Sequence, residues 1–429
     1  TLLFEHYSVE ELQDVKYIAL VTEHVDDIDA NILAPWELTV FKERGKNNPE
    51  MLERLIQLAD ICRKNGGSVG WVGHHQAHAA HAFYSSNFDD ALIVTMDGGG
   101  RDLHRGKNVD KPEEVTIIST ATASWIGTDR QIWSIAFGEH DLENIGTTWS
   151  KATQIIFGLS ASPPVGSQEG TVMAMAALGD YRRFLPFFSA QESAQCVYQH
   201  QTLSFEGLKT LMKTDQDAYD MAATLQYTTE EAIEMFIING AATVDNERIK
   251  KTKNLCLSGG VTLNAVAMGK LYERFKDRFD NIYICPVPYD SGHALGAAQA
   301  LYHNTLNYPR NKWHGNFTPY LGRTYTLNEV QSALNEFDDV IVEHVNDDSV
   351  IDKLYEQKIV SVFGGGSESG RRALGNRSIL ADPRSTSMKD EINARVKHRQ
   401  WFRPFAPSIL RECVAELSLI HISEPTRPY

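Results

Sequence analysis

The stretch "HHQAHAAH", His74 to His81, places four of the chain's 15 histidines within eight residues, separated by helix-forming alanine and glutamine. Set on a helix at about 100° per residue, His74, His78 and His81 share an arc of roughly 60°, while His75 lies about 100° from His74. An i, i+4 pair of imidazoles can converge on one metal ion. The plainer alternative is a polar helix face whose rings bond to water or carbonyls. His81 shares the face but lies two turns from His74, too far to join the same ion. Two aspartates offer carboxylates to such a pair. "ALIVTMDGGG" reads as an apolar strand delivering Asp97 at its C-terminal end, and "IYICPVPYDSG" places Asp290 between a strand and a helix. Each alone could be a turn or N-cap aspartate. Together, His74, His78, Asp97 and Asp290 form a candidate set of two histidines and two carboxylates, for metal binding and catalysis alike.

Glycine-rich turns supply a second kind of chemistry, because their amides can approach phosphate closely. Gly98, Gly99 and Gly100 follow Asp97 directly. In "NLCLSGGVTLNAVAMGKL" a strand runs into Gly259 and Gly260, with Asn264 expected one turn into the following helix. A third cluster, "SVFGGGSESGRRALGNRSILADPRSTSMKDEINARVKHRQWFRPFAPSIL", interleaves arginines with glycine turns. Between Arg371 and Arg403 it holds nine Lys/Arg and three Asp/Glu, a local +6 within a chain of net charge −15. Arg372, Arg377 and Arg403 stand beside glycine, proline or aromatic residues, a context suited to gripping phosphate or carboxylate. A solvated basic helix is the bland alternative.

The elements that must position these residues read as α/β. Short apolar runs ending in glycine or aspartate alternate with amphipathic stretches such as "MLERLIQLADICRKNG" and "MAATLQYTTEEAIEMFIINGAATV". "ATASWIGTDRQIWSIAFG" reads instead as antiparallel strands with a turn near Gly127–Asp129, so the sheet is expected to be mixed. A domain boundary is expected near residues 312–322. At 429 residues the chain has room for two or three cores. The acidic charge argues against general nucleic-acid binding. The five cysteines form no CxxC pair, which points to a reducing cytoplasm. Neither a membrane span nor a signal peptide is visible. The chain opens without methionine, and "LSLIHISEPTRPY", Leu417–Tyr429, reads as translated adapter sequence; a fragment with a non-native tail is the expectation.

Taken together, "HHQAHAAHAFY", "TMDGGG", "QEGTVMAMAALGD", "LSGGVTLN", "PYDSGHALGAAQA" and the forty-odd residues from "GRRALGNRS" to "FRPFAPSIL" resemble the O-carbamoyltransferases of the NodU/CmcH family. The resemblance implies an actin-like ATPase (ribonuclease H-like) domain of two lobes over residues 1–313. It implies an incomplete YrdC-like domain over 318–416. It further implies that carbamoyl phosphate and ATP give carbamoyl adenylate, and that the carbamoyl group then passes to a hydroxyl of a small-molecule acceptor. The metal, usually taken to be iron, falls on His74, His78, Asp97 and Asp290; Mg2+ is a further candidate ion. Gly98–Gly100, Gly259, Gly260 and Asn264 would flank the adenylate, and Arg372, Lys397 and Arg403 would hold the phosphates.

Some positions depart from the family's pattern: His81 stands where a small residue is usual, Arg371 where proline is, and Thr171 where lysine is common. The N-terminal hairpin with its phosphate loop and the remainder of the YrdC-like domain are expected to be absent, which leaves this chain's own activity open. Two alternatives stand beside the transferase. One is a threonylcarbamoyl transferase acting on tRNA, which the acidic charge disfavours. The other is a nucleotide-binding fragment without transfer activity. Acceptor specificity is expected in loops such as 140–164, where Trp149 and Phe157 are read as core residues before stacking platforms.

Overall fold

The computed structural model describes residues 12–21, 49–105, 115–138, 144–157, 168–187, 205–245, 247–310, 319–343 and 345–413. Strand β1 (Tyr17–Val21) pairs in parallel with β2 (Ser68–Val72), with helix α1 (Pro49–Lys64) between them in sequence. Helix α2 (His74–Ser85) follows β2 after Gly73 alone. The central sheet holds β3 (Asp90–Arg105), β4 (Val115–Thr128), β5 (Gln131–Phe137), β6 (Asn254–Ser258) and β7 (Asn281–Ile284) in the order β5-β4-β3-β6-β7. Pairing is antiparallel from β3 through β5 and parallel from β3 through β7, so the sheet is mixed, as expected.

Alternation along β3 explains the two cores. Leu92, Val94 and Met96 point into one cluster with Leu225, Ile233, Phe236 and Leu271. Those partners come from α5 (Asp215–Ala242) and α6 (Ala265–Phe275), and α3 (Ile145–Phe157) and α4 (Glu169–Met175) complete that layer. Ala91 and Ile93 face the other way, against Ala77, Ala80, Phe83 and Tyr84 of α2 and Ala297 of α7 (His293–Gln299). A sheet covered on both faces needs strands that are apolar at nearly every position, which "ALIVTM" supplies with Thr95 as its one polar residue. Helix α2 is likewise buried all round, with Gln76 its one residue outside that class.

Three local expectations change. Strand β3 does not end at Asp97: it continues through the glycines to Arg105, and Asp97 lies in a bulge. Met96 pairs with Thr122 and Gly100 with Thr120, so Asp97, Gly98 and Gly99 face the single residue Ala121. Glycine at 99, with φ +138°, takes the turn that a side chain would resist. Asn264 is the N-cap of α6, not a residue one turn inside it, because a 3₁₀ turn over Gly260–Leu263 intervenes. Residues 145–157 of the presumed acceptor loop are α3, whose Trp149 is buried and donates to Thr229 Oγ1 at 2.8 Å. Loop residues 140–143 and 158–164 lie outside the described residues, as do residues 312–318 of the expected boundary and the tail.

The C-terminal segment carries β8 (Val360–Phe363) paired antiparallel with β9 (Arg377–Leu380), and α8 (Met388–Arg395). Its buried residues between 319 and 413 are Pro319, Met388, Ile392 and Asn393, a thin core for its length. Among the described residues no helix is long and apolar enough to cross a membrane.

Candidate metal and anion site

The histidine helix begins where its capping residue has no side chain. Gly73 leaves the first amides of α2 without a local acceptor, and a residue from β3 supplies one. Asp102 Oδ2 accepts from the His75 amide at 2.9 Å and Oδ1 from the Gln76 amide at 2.8 Å. A Cβ at position 73 would lie 2.2 Å from that carboxylate, so the glycine is what lets the acid in. Burial pushes the Asp102 carboxyl up to about 6, against the two amides that favour its charge. Removing it strips a buried helix end of both acceptors, and Asp102→Ala is expected to cost about 2–4 kcal/mol. Asp102→Asn keeps one acceptor and should cost less. The folded chain holds this proton more tightly than the unfolded one, so protonation favours folding between about pH 6 and pH 4. Urea titrations should therefore find wild type gaining about 1 kcal/mol on Asp102→Asn from pH 7 to pH 5. A difference that stays level with pH would contradict this account.

With the helix start fixed, four side chains meet above the sheet. His78 Nε2 lies 2.8 Å from Asp97 Oδ2 and 3.5 Å from Asp290 Oδ1. His74 Nε2 stands 3.9 Å from an oxygen of each. The structure thus brings the four expected residues together, and adds His293, the first residue of α7, with Nε2 3.0 Å from His78 Nε2. The arrangement fits a cation in two respects. Both ring nitrogens of His74 are buried without a hydrogen-bond partner, an arrangement that costs free energy unless something binds there. Burial would lower the His78 ring, yet Asp290 and Asp97 outweigh it and hold it up at about 9, so the local field favours positive charge. Burial opposes ionisation of Asp97 as well, but His74 and His78 keep it well below the usual carboxylate range.

Two of the glycines expected to cradle phosphate hold Asp97 instead. The Gly98 amide donates to Asp97 Oδ1 at 2.6 Å and the Gly260 amide to Oδ2 at 2.9 Å. The Gly259 amide donates to the Pro288 carbonyl at 2.7 Å. A Cβ at Gly100 would lie 2.3 Å from the His74 ring, so this glycine makes room for a histidine. Asn264 is occupied too: Oδ1 accepts from the Ala267 amide at 3.1 Å and Nδ2 donates to Gln226 Oε1 at 2.8 Å.

The C-terminal cluster lies against this domain. Phe402 packs beside Tyr219 with ring centroids 6.0 Å apart, and the Arg371 guanidinium sits 4.8 Å from the centre of the Tyr289 ring, next to Asp290. Arg372 donates to the Leu263 carbonyl at 3.3 Å. Burial first, and then the Arg372 charge, lower the Arg403 guanidinium. An anion near both arginines would relieve the repulsion between them. Lys397 is exposed in the bend after α8, with no contact that ties it to the pair.

The other histidines have structural partners. His75 Nε2 faces the Thr120 carbonyl at 3.2 Å, which can only accept, so that nitrogen carries the proton; Nδ1 lies 2.9 Å from Thr95 Oγ1. Burial, with His74 and His78 nearby, keeps the ring neutral. His81 Nδ1 lies 3.3 Å from Ser85 Oγ, while its Nε2 is buried without a hydrogen-bond partner. Sequence reasoning missed His293 and Asp102. His293 had a signal, standing three residues beyond Asp290 in "DSGH"; Asp102 had none, since its partners lie more than twenty-five residues away.

Comparison with known proteins adds the following. Residues 44–299 match the family described as carbamoyltransferase N-terminus, and residues 351–429 match carbamoyltransferase C-terminus. The uncharacterized protein sll1178 of Synechocystis is 30% identical over 385 residues, covering 84% of this chain and 58% of its own. Nodulation protein NolO of Bradyrhizobium diazoefficiens is 31% identical over 370 residues, 80% of this chain and 59% of its own. The crystal structure of T. kodakarensis HypF overlaps 59% of this chain and 39% of its own at 15% identity and a TM-score of 0.40, too slight a likeness to build on. The chain spans less than two thirds of the length of these relatives.

Proposed function

The chain belongs to the carbamoyltransferase family, and on that premise we propose that the whole protein is an ATP- and metal-dependent O-carbamoyltransferase acting on a small-molecule hydroxyl. In this reading residues 1–313 form the actin-like transfer domain and 318–416 belong to a YrdC-like domain. What supports it is the gathering of potential metal donors in one cluster and of arginines near it. His74, His78, Asp97 and Asp290 form the first group, and the second includes Arg372, which donates to the Leu263 carbonyl, and the partly buried Arg403.

The chemistry divides between the two. Atom balance requires carbamoyl phosphate to release its phosphate as inorganic phosphate, taking up one water. The carbamate oxygen then attacks the α-phosphorus of ATP, and pyrophosphate leaves. Arg372 and Arg403 would position the anions and offset charge that develops in this step. In the second step the acceptor oxygen bonds to the carbamoyl carbon, the bond from that carbon to the adenylate oxygen breaks, and AMP departs. A divalent cation held by His74, His78, Asp97 and Asp290 would supply polarisation of the carbonyl. Asp97 is fixed by the Gly98 and Gly260 amides, while the half-exposed Asp290 leaves one side open to an incoming hydroxyl. Gly98–Gly100, Gly259, Gly260 and Asn264 would flank the adenylate.

The test is pyrophosphate release from the protein supplied with ATP, metal and carbamoyl phosphate. Release that depends on carbamoyl phosphate is expected, and Arg403→Ala should reduce it by roughly ten- to a hundredfold, the worth of one charge-assisted hydrogen bond. Neither pyrophosphate nor carbamoyl adenylate from the wild-type protein would sink the proposal.

A further inference from the structure

Helix α7 is pressed unusually close to α2, and glycine is the reason. A Cβ at Gly296 would lie 2.0 Å from the Ala77 carbonyl oxygen, and one at Gly292 would lie 3.1 Å from the His81 ring and 2.2 Å from the Val287 carbonyl oxygen of its own loop. With both side chains absent, the first residue of α7 is carried over the histidine pair. The His293 ring centre is 4.3 Å from that of His74 and 4.2 Å from that of His78. Its Nε2 is 3.8 Å from Asp290 Oδ1. One ligand atom from each of His74, His78, Asp290 and His293 can be chosen so that all lie within 4.8 Å of one another.

We infer that His293 is a third imidazole ligand of the ion held by His74, His78 and the two carboxylates, and that it makes the site selective for a transition metal over Mg2+. This rests on the metal reading above. Two donors on one ion at about 2.1 Å each stand roughly 3.0–3.4 Å apart. The His78 and His293 Nε2 atoms, at 3.0 Å, already have that spacing. Two buried imidazole nitrogens facing each other can share one proton at most, and a cation satisfies both lone pairs. The donor set then becomes three nitrogens with carboxylate oxygens. Mg2+ prefers an oxygen octahedron and keeps its waters, whereas imidazole donors suit iron, cobalt, nickel and zinc.

Cobalt(II) added to chelator-treated protein tests this without any turnover. Each imidazole bound through Nε2 keeps a proton on Nδ1, so the proton NMR spectrum of the cobalt form should show three strongly shifted, exchangeable N–H signals. His293→Gln should show two, and should bind cobalt at least about tenfold more weakly relative to Mg2+. If wild type takes up no cobalt, the metal reading itself falls. Cobalt bound with two shifted signals in wild type leaves the metal reading standing and overturns the role of His293. Because the count is made on wild type, failure of the variant to fold does not spoil the test. His293→Asp, which restores a donor, should recover affinity while keeping two signals.

Discussion

Replacing His78 with alanine is expected to strip the protein of stoichiometric metal, while His81→Ala leaves metal content near that of wild type. His78 is the hub of the cluster: its Nε2 lies 2.8 Å from Asp97, 3.5 Å from Asp290 and 3.0 Å from His293. Structural sites of four ligands bind zinc with about 10–16 kcal/mol, or roughly 3 kcal/mol for each ligand. Losing one should therefore weaken binding on the order of a hundredfold or more, enough for the ion to be lost on gel filtration with a mild chelator. His74→Ala should behave like His78→Ala. His81 stands one turn further along α2 and is packed against Gly292 and Gly296 of the neighbouring segment, with Ser85 as its polar partner. Its removal leaves a small cavity, costing stability on the order of 1–3 kcal/mol, but no open coordination position. Metal analysis of the purified variants, with unfolding curves recorded in chelator, separates the two effects. Equal metal loss in His78→Ala and His81→Ala, both still folded, would show that the integrity of α2 matters and not the geometry of its ligands.

The positions of these rings also show how far sequence reading reaches. Helical spacing separated His74 and His78 from His75, because which face a residue occupies depends only on its neighbours in the chain. The apolar runs located β3, β6 and β7 for the same reason. Contacts made across the fold left weaker traces. Asp102 looks like any polar residue after a glycine run until β3 is placed beside the start of α2. His293 joins His78 only because two glycines let α7 approach. The bulge at Asp97 needs β4 as a partner before three residues can face one. Glycine signalled a second use as well: "DGGG" and "SGG" suggested amides close to phosphate, and those of Gly98, Gly259 and Gly260 are used within the chain.

That use makes a strong demand on Gly259. Its φ is +98°, a region that side-chain-bearing residues enter at a cost of about 1–3 kcal/mol. An added Cβ would also lie 2.0 Å from the Met96 carbonyl oxygen of β3, where Met96 pairs with Thr122 of β4 and the preceding Thr95 with Ser258 of β6. Neither strand can give way without loss of ladder bonds, so Gly259→Ala is expected to cost about 3–5 kcal/mol. The loop it anchors carries the Gly260 amide to Asp97 Oδ2, so metal affinity should fall with it. Gly269 provides the opposite case. It lies within α6, and nothing stands within 4 Å of where its Cβ would be. There alanine removes unfolded-state freedom without a clash and should stabilise by about 0.5–1 kcal/mol. Urea unfolding of the two variants should therefore move in opposite directions from wild type. A Gly259→Ala protein within about 1 kcal/mol of wild type would mean that the loop beside Asp97 can rearrange, and that the rigidity assigned to this carboxylate has another source.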